Sequence, residues 1–141
     1  MDIPYLRQKA ESGNCAAQCI LGICYLDGID VEVDYREAFR LLSAAADQGA
    51  SRAIVSLARM NADGIGVSKN PHEAIRLYEM VGHAEFLAAV ELGRIYSRGL
   101  GVPTDRSKAL KWYSIAVSKE NSVPDSEDLR EAKAYVANEG A

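Results

Sequence analysis

Histidine is scarce in this chain: His72 and His83 are the only two in 141 residues, and neither stands at a metal-ligand spacing from cysteines or carboxylates. His72 falls in the first turn of a predicted helix and His83 in an irregular loop. No Gly-x-Ser-x-Gly elbow, phosphate loop or dinucleotide fingerprint occurs. These absences argue against an enzyme, and no catalytic residue, cofactor, metal site or small-molecule substrate is expected. The rival, an enzyme built on Cys24 or His83, would need activity that is lost when those residues are replaced. Runs of basic residues longer than a pair are missing, and with a net charge of −4 and a pI near 5.2 the chain lacks the footprint of a nucleic-acid binder. No window approaches the roughly 18 apolar residues needed to span a bilayer, so no membrane partner is expected. Met1–Lys9 lacks the basic-then-apolar order of a secretory signal, which sets a cytoplasmic expectation.

Cysteine is also sparse, and all three residues (Cys15, Cys19, Cys24) fall inside one predicted helix. At about 100° per residue, Cys15 and Cys19 lie close on the helix surface while Cys15 and Cys24 face opposite sides. They cannot jointly hold one metal, and a bridge within a regular helix is poor geometry. The reading is small buried hydrophobes, with a regulatory thiol as the alternative.

What is abundant is self-similarity. One phrase reads Ala17, Leu21-Gly22, Tyr25, Gly28-Ile29-Asp30-Val31, Asp34, Ala38. It returns as Ala53, Leu57-Ala58, Asn61, Gly64-Ile65-Gly66-Val67, Asn70, Ala74, and again as Ala88, Leu92-Gly93, Tyr96, Gly99-Leu100-Gly101-Val102, Asp105, Ala109. The period is 36 residues from Gly28 to Gly64 and 35 from Gly64 to Gly99. Such a period marks a repeat array, in which each unit buries its apolar face against its neighbours. The recurrence also makes the glycine pairs structural turns rather than phosphate loops. At 48% apolar residues the chain is globular rather than disordered, and its length suits a single domain.

Each unit reads as two antiparallel helices. The first (15–27, 51–62, 87–98) repeats small residues where helices approach closely, with Leu21, Leu57 and Leu92 on the same face four positions after each alanine. Tyr25 and Tyr96 continue that stripe. The helix ends at Gly28, Gly64 or Gly99, and a second positive φ is expected at Asp30, Gly66 and Gly101. Val31, Val67 and Val102 then plug the loop into the core. Asp34, Asn70 and Asp105 are N-caps of the second helix, with Glu37 and Glu73 placed for capping boxes and Pro71 at the first helical position. Phe39-Leu42, Ile75-Tyr78 and Leu110-Tyr113, with Leu41, Leu77 and Trp112, are the expected core. The second helix of the middle unit ends early, at Gly82-His83.

The expected organisation is one repeat domain over 1–141. Residues 1–13 form an N-terminal capping helix, 14–49, 50–84 and 85–121 form the three repeats, and 122–141 form a C-terminal capping helix. In the last of these, 126–138 is helical, with Leu129, Ala132 and Val136 on one face.

The third copy, Ala88-Leu92-Gly93-Tyr96-Gly99-Gly101-Val102-Asp105-Lys108-Ala109-Trp112-Tyr113, resembles the Sel-1-like repeat, a tetratricopeptide-related motif with a longer glycine-rich turn. The resemblance implies an all-α fold: a right-handed α/α superhelical solenoid of three repeats with an N-terminal half-repeat and a C-terminal capping helix. It implies an adaptor or scaffold for protein complexes. Bacterial members look like regulators of signalling or surface assembly, some resemble immunity proteins that block a toxin, and eukaryotic members are similar to adaptors in degradation and cell-wall synthesis. One secreted branch pairs cysteines in every repeat; here they are confined to one helix. The middle copy departs at Ala58 and Asn61.

In such arrays the exposed stripe of the first helices carries the partner. That stripe is Ile20, Ile23, Asp27, then Ser56, Arg59, Asp63, then Glu91, Arg94, Arg98, each triple at i, i+3, i+7. The expected groove is apolar at one end and basic at the other, suited to a protein or peptide with a hydrophobic anchor and acidic residues. In the bland alternative Ile20 and Ile23 pack on the N-terminal helix and the charges only solvate a surface. The functional expectation is a non-enzymatic interaction adaptor, as a monomer or weak homodimer. The alternative is a bacterial immunity-type inhibitor that occludes a toxin.

Overall fold

In the computed structural model, which describes residues 1–139, four helix starts are set by side chains that accept backbone N–H groups. Asp2 accepts from Tyr5 N at 3.0 Å, Asn14 from Ala17 N at 2.9 Å, Asp34 from Glu37 N at 3.1 Å and Asp105 from Lys108 N at 3.0 Å. These caps open α1 (Ile3–Glu11), α2 (Cys15–Asp27), α3 (Tyr35–Asp47) and α7 (Arg106–Val117); the other helices are α4 (Ser51–Asp63), α5 (Pro71–Val81), α6 (Phe86–Arg98) and α8 (Glu127–Glu139), of which α4 and α6 start without a side-chain cap. Among the described residues there is no strand, as the all-α expectation required. The expected C-terminal segment is described as far as Glu139; Gly140 and Ala141 lie outside the described residues.

The three glycine turns share one backbone design. Gly28, Gly64 and Gly99 take left-handed conformations with φ of 70°, 70° and 68°. Two residues on, Asp30 (φ 59°), Gly66 (φ 71°) and Gly101 (φ 80°) do so again, as the sequence predicts. The chain is then tied back by the same bond in every copy: Asp34 N to Tyr25 O at 2.9 Å, Asn70 N to Asn61 O at 2.8 Å, and Asp105 N to Tyr96 O at 2.9 Å. Because the acceptor is a carbonyl, Asn61 replaces tyrosine without opening the turn. This bond also corrects one expectation. The Asp34 N–H that a capping box would assign to Glu37 is taken by Tyr25, and the Glu37 carboxylate turns to Arg40 instead.

The helices gather into two compact units, Met1–Asn70 and a second from Pro71 on. In the first, α1 packs on α2 around Ala10, Ala17, Leu21 and Leu41, with Ile3, Leu6 and Tyr25 against them. Close approach of α2 and α3 is set at Gly22, where an added Cβ would lie 2.8 Å from Leu42 Cγ. Ala38, Leu41, Leu42 and Ala45 are the buried stripe of α3, at i, i+3, i+4, i+7. Phe39 is off that stripe by about 100°, and it stands 39% exposed rather than in the expected core. In the second unit, Trp112 and Tyr113 of α7 are buried, Trp112 near Gly82 and Tyr113 over Gly93. The expected core members Leu41, Leu42, Leu77 and Tyr78 are buried, whereas Ile75 and Leu110 are half-buried. Val31, Val67 and Val102 are half-buried beneath their turns. The early end of α5, at Val81, agrees with the sequence.

Candidate interaction surface

In the first unit, α2 and α4 lie side by side and present six of the nine stripe residues. Ile20 is 37% exposed although it sits in the most apolar helix of the chain, and Ile23 beside it is half-buried. The Arg59 guanidinium donates to Asp27 Oδ1 at 3.4 Å, both side chains being about half exposed. Such a pair contributes about 0–1 kcal/mol, so both charges can be redirected to a partner at little cost to the fold. Asp63 is exposed, and the half-buried Ser56 turns its hydroxyl to Arg52 O at 3.0 Å. The face is therefore a small apolar step bordered by charges of both signs.

The same repeat position in the second unit is built differently. Arg94 is only 19% exposed and is gripped by three carboxylates: Glu91 at 2.7 Å, Glu131 at 2.6 Å and Asp128. Burial works against its charge, but hydrogen bonds to Asp128 and Glu131 outweigh it and push the guanidinium pKa up. Arg98 reaches Glu131 at 2.5 Å. The positive end of the expected stripe is thus already neutralised by α8. Asp128 and Glu131 were not read as site residues. Their signal in the sequence is a carboxylate pair at i, i+3 that matches the arginine pair at i, i+4 on α6, legible only once α8 is known to pack on α6.

A buried amide network escaped the sequence reading too. Gln18, 8% exposed, donates to Ala10 O at 3.2 Å and accepts from Gln48 Nε2 at 2.7 Å. It pins α1 and α3 to α2 and leaves Gln18 satisfied on both sides.

Cys19 and Cys24 are buried and Cys15 is half-buried, its Sγ donating to Ala45 O at 3.7 Å. Burial pushes the Cys19 and Cys24 thiols up, away from the thiolate a nucleophile needs. Among the described residues no group of three or more His, Cys, Asp or Glu is placed to hold a metal ion. No helix among them is long and apolar enough to cross a membrane. His83 is exposed, and its ring lies tilted against Trp112 with centroids 5.2 Å apart.

The sequence profile of the Sel1 repeat matches residues 15–49, 51–80 and 87–121. The chain is 25% identical over 137 residues to the chitin synthase regulator SKT5 of Saccharomyces cerevisiae, covering 93% of this chain and 20% of that protein. It is 30% identical over 129 residues to chitin synthase regulatory factor 2 of Schizosaccharomyces pombe, covering 85% and 25%. The chain therefore spans a quarter or less of the curated relatives it matches. A Sel1 repeat protein from Oxalobacter formigenes superposes with a TM-score of 0.76 at 35% identity, over 97% of this chain and 98% of that one. The structure of c5321, a protective antigen of uropathogenic Escherichia coli with an SLR fold, superposes with a TM-score of 0.78 at 27% identity, over 100% and 34%.

Proposed function

The chain belongs to the Sel1 repeat family, and we propose that it is a non-enzymatic adaptor that binds a partner protein or peptide on the exposed face of its first helices. The observation that carries this reading is the α2–α4 face. There Ile20 is left 37% exposed beside a weak, solvent-facing Arg59–Asp27 pair. An apolar anchor point rimmed by unsaturated charges is what a peptide with one hydrophobic and one or two charged side chains recognises. The two curated relatives are described as regulators, which favours an adaptor over an immunity-type inhibitor. The burial of the Cys19 and Cys24 thiols, which pushes both away from the thiolate, fits a non-catalytic role.

The test is affinity purification from the native cell with the Ile20→Glu/Arg59→Glu variant beside the wild type, read by mass spectrometry. Both residues are exposed and off the core, so the fold should survive. The partner is expected to be lost from the variant. A partner retained equally by the folded variant places binding elsewhere and ends this reading. Arg94 is left untouched because its replacement would strip the carboxylates of α8 of their counter-charge.

A further inference from the structure

The α6 stripe already carries an occupant. Asp128 and Glu131 of α8 close on Arg94, Glu131 also takes Arg98, and the Tyr113 hydroxyl donates to Glu131 at 3.4 Å. The apolar hold of α8 is slight by comparison. Leu129 and Ala132 are its buried residues, while Tyr135, stacked on Tyr113 with centroids 4.7 Å apart, and Val136 are half-buried. Its outer ion pairs, Arg106–Glu139 at 2.9 Å and Lys133–Glu120 at 2.7 Å, each use a well-exposed cation and are screened by salt. An element held by two buried side chains and a charge cluster opens more easily than the α6–α7 pair it rests on.

We propose that α8 is a displaceable ligand supplied by the chain itself. The α6 stripe Glu91–Arg94–Arg98 is then a docking surface for an acidic amphipathic helix of the same pattern, with carboxylates at i and i+3 beside an apolar stripe. This rests on the adaptor reading and names the chemistry of the partner at the second unit. Charge complementarity supports it: when α8 opens, Arg94 and Arg98 lose Asp128 and Glu131 and only Glu91 stays beside Arg94, so an arriving helix with carboxylates at the same spacing regains what α8 gave up. The short connection from α7 holds α8 at high effective concentration, so a free helix competes poorly until the internal contact is weakened.

The test uses the full chain and a fluorescein-labelled synthetic peptide with the sequence of residues 125–139, followed by anisotropy. The Asp128→Asn/Glu131→Gln variant keeps the shape of α8 but removes both charges. It should bind the peptide about tenfold more tightly than the wild type does. A peptide bearing the same two substitutions should lose most of that binding. Equal binding to wild type and variant, or binding indifferent to the peptide's carboxylates, overturns the proposal. Should the variant fail to fold, hydrogen exchange on the wild type decides. The amides of α8 should exchange faster in high salt while those of α6 and α7 hold, and salt-independent α8 exchange overturns it. The Ile20→Glu/Arg59→Glu capture does not involve α8, so the adaptor reading and this one fail separately.

Discussion

Replacing Gly93 by alanine sets helix propensity against packing in a way that the structure resolves. Gly93 lies inside α6, where alanine is favoured over glycine by about 1 kcal/mol. An added Cβ there would sit 2.8 Å from three ring atoms of Tyr113. Tyr113 is 1% exposed and its ring is stacked on Tyr135, so it cannot retreat without moving α8. Overpacking of this kind costs about 1–3 kcal/mol, leaving Gly93→Ala destabilising by about 1 kcal/mol. Urea unfolding followed through Trp112, the single tryptophan and a member of the same unit, is the direct assay. A fall in Tm of about 2–8 °C should accompany it. The reverse change, Ala58→Gly at the same repeat position, should destabilise too, since Ala58 is fully buried and pays the glycine penalty in mid-helix. If Gly93→Ala raises stability by the propensity difference, then the α6–α7 approach is looser than described and the close-packing argument is wrong.

Leu42→Ala should cost about 2–5 kcal/mol because Leu42 is 0% exposed, whereas Phe39→Ala on the same helix should cost far less, Phe39 being 39% exposed; equal losses in urea melts would contradict the assigned stripe. Asp105→Ala removes the acceptor of the Lys108 N–H and should lower stability by about 1 kcal/mol, with Asp105→Asn recovering most of it. Stability should also fall in alkali. Burial raises the Cys19 and Cys24 thiols and the Tyr96, Tyr113 and Tyr135 phenols, so the unfolded chain gives up these protons first. The contribution is therefore complete at neutral pH and erodes as pH rises through about 8.5 for the thiols and about 10 for the tyrosines. A Tm flat from pH 7 to 10.5 would exclude it, and a Cys19→Ala/Cys24→Ala chain should lose only the earlier step.

How far the sequence can be read differs between the local and the distant. The turns were legible to the residue: glycines and Asp30 at positive φ and the caps Asp34 and Asp105 express local backbone preferences that a repeat prints at each copy, and the stop at Gly82 was legible as a break in that pattern. Burial was legible wherever a stripe could be counted, and it failed at Phe39, where a bulky side chain one step off the stripe outweighed the spacing in the reading. The capping box at Glu37 failed because the competitor for the Asp34 N–H, the Tyr25 carbonyl, comes from the preceding helix across the turn.

The candidate site divides along the same line. Ile20, Arg59 and Asp63 stand exposed as their positions on the first helices predict, whereas Ile23 and Ser56 on the same stripe are half-buried. That Arg94 and Arg98 are already neutralised was not legible. Their partners Asp128 and Glu131 lie more than 30 residues away, and only the docking of α8 on α6 brings them within reach. Periodicity and backbone chemistry are short-range, so the amino-acid sequence determined the helices, the turns and the repeat. Which charges remain free for a partner depends on long-range packing, and the tertiary structure decided it.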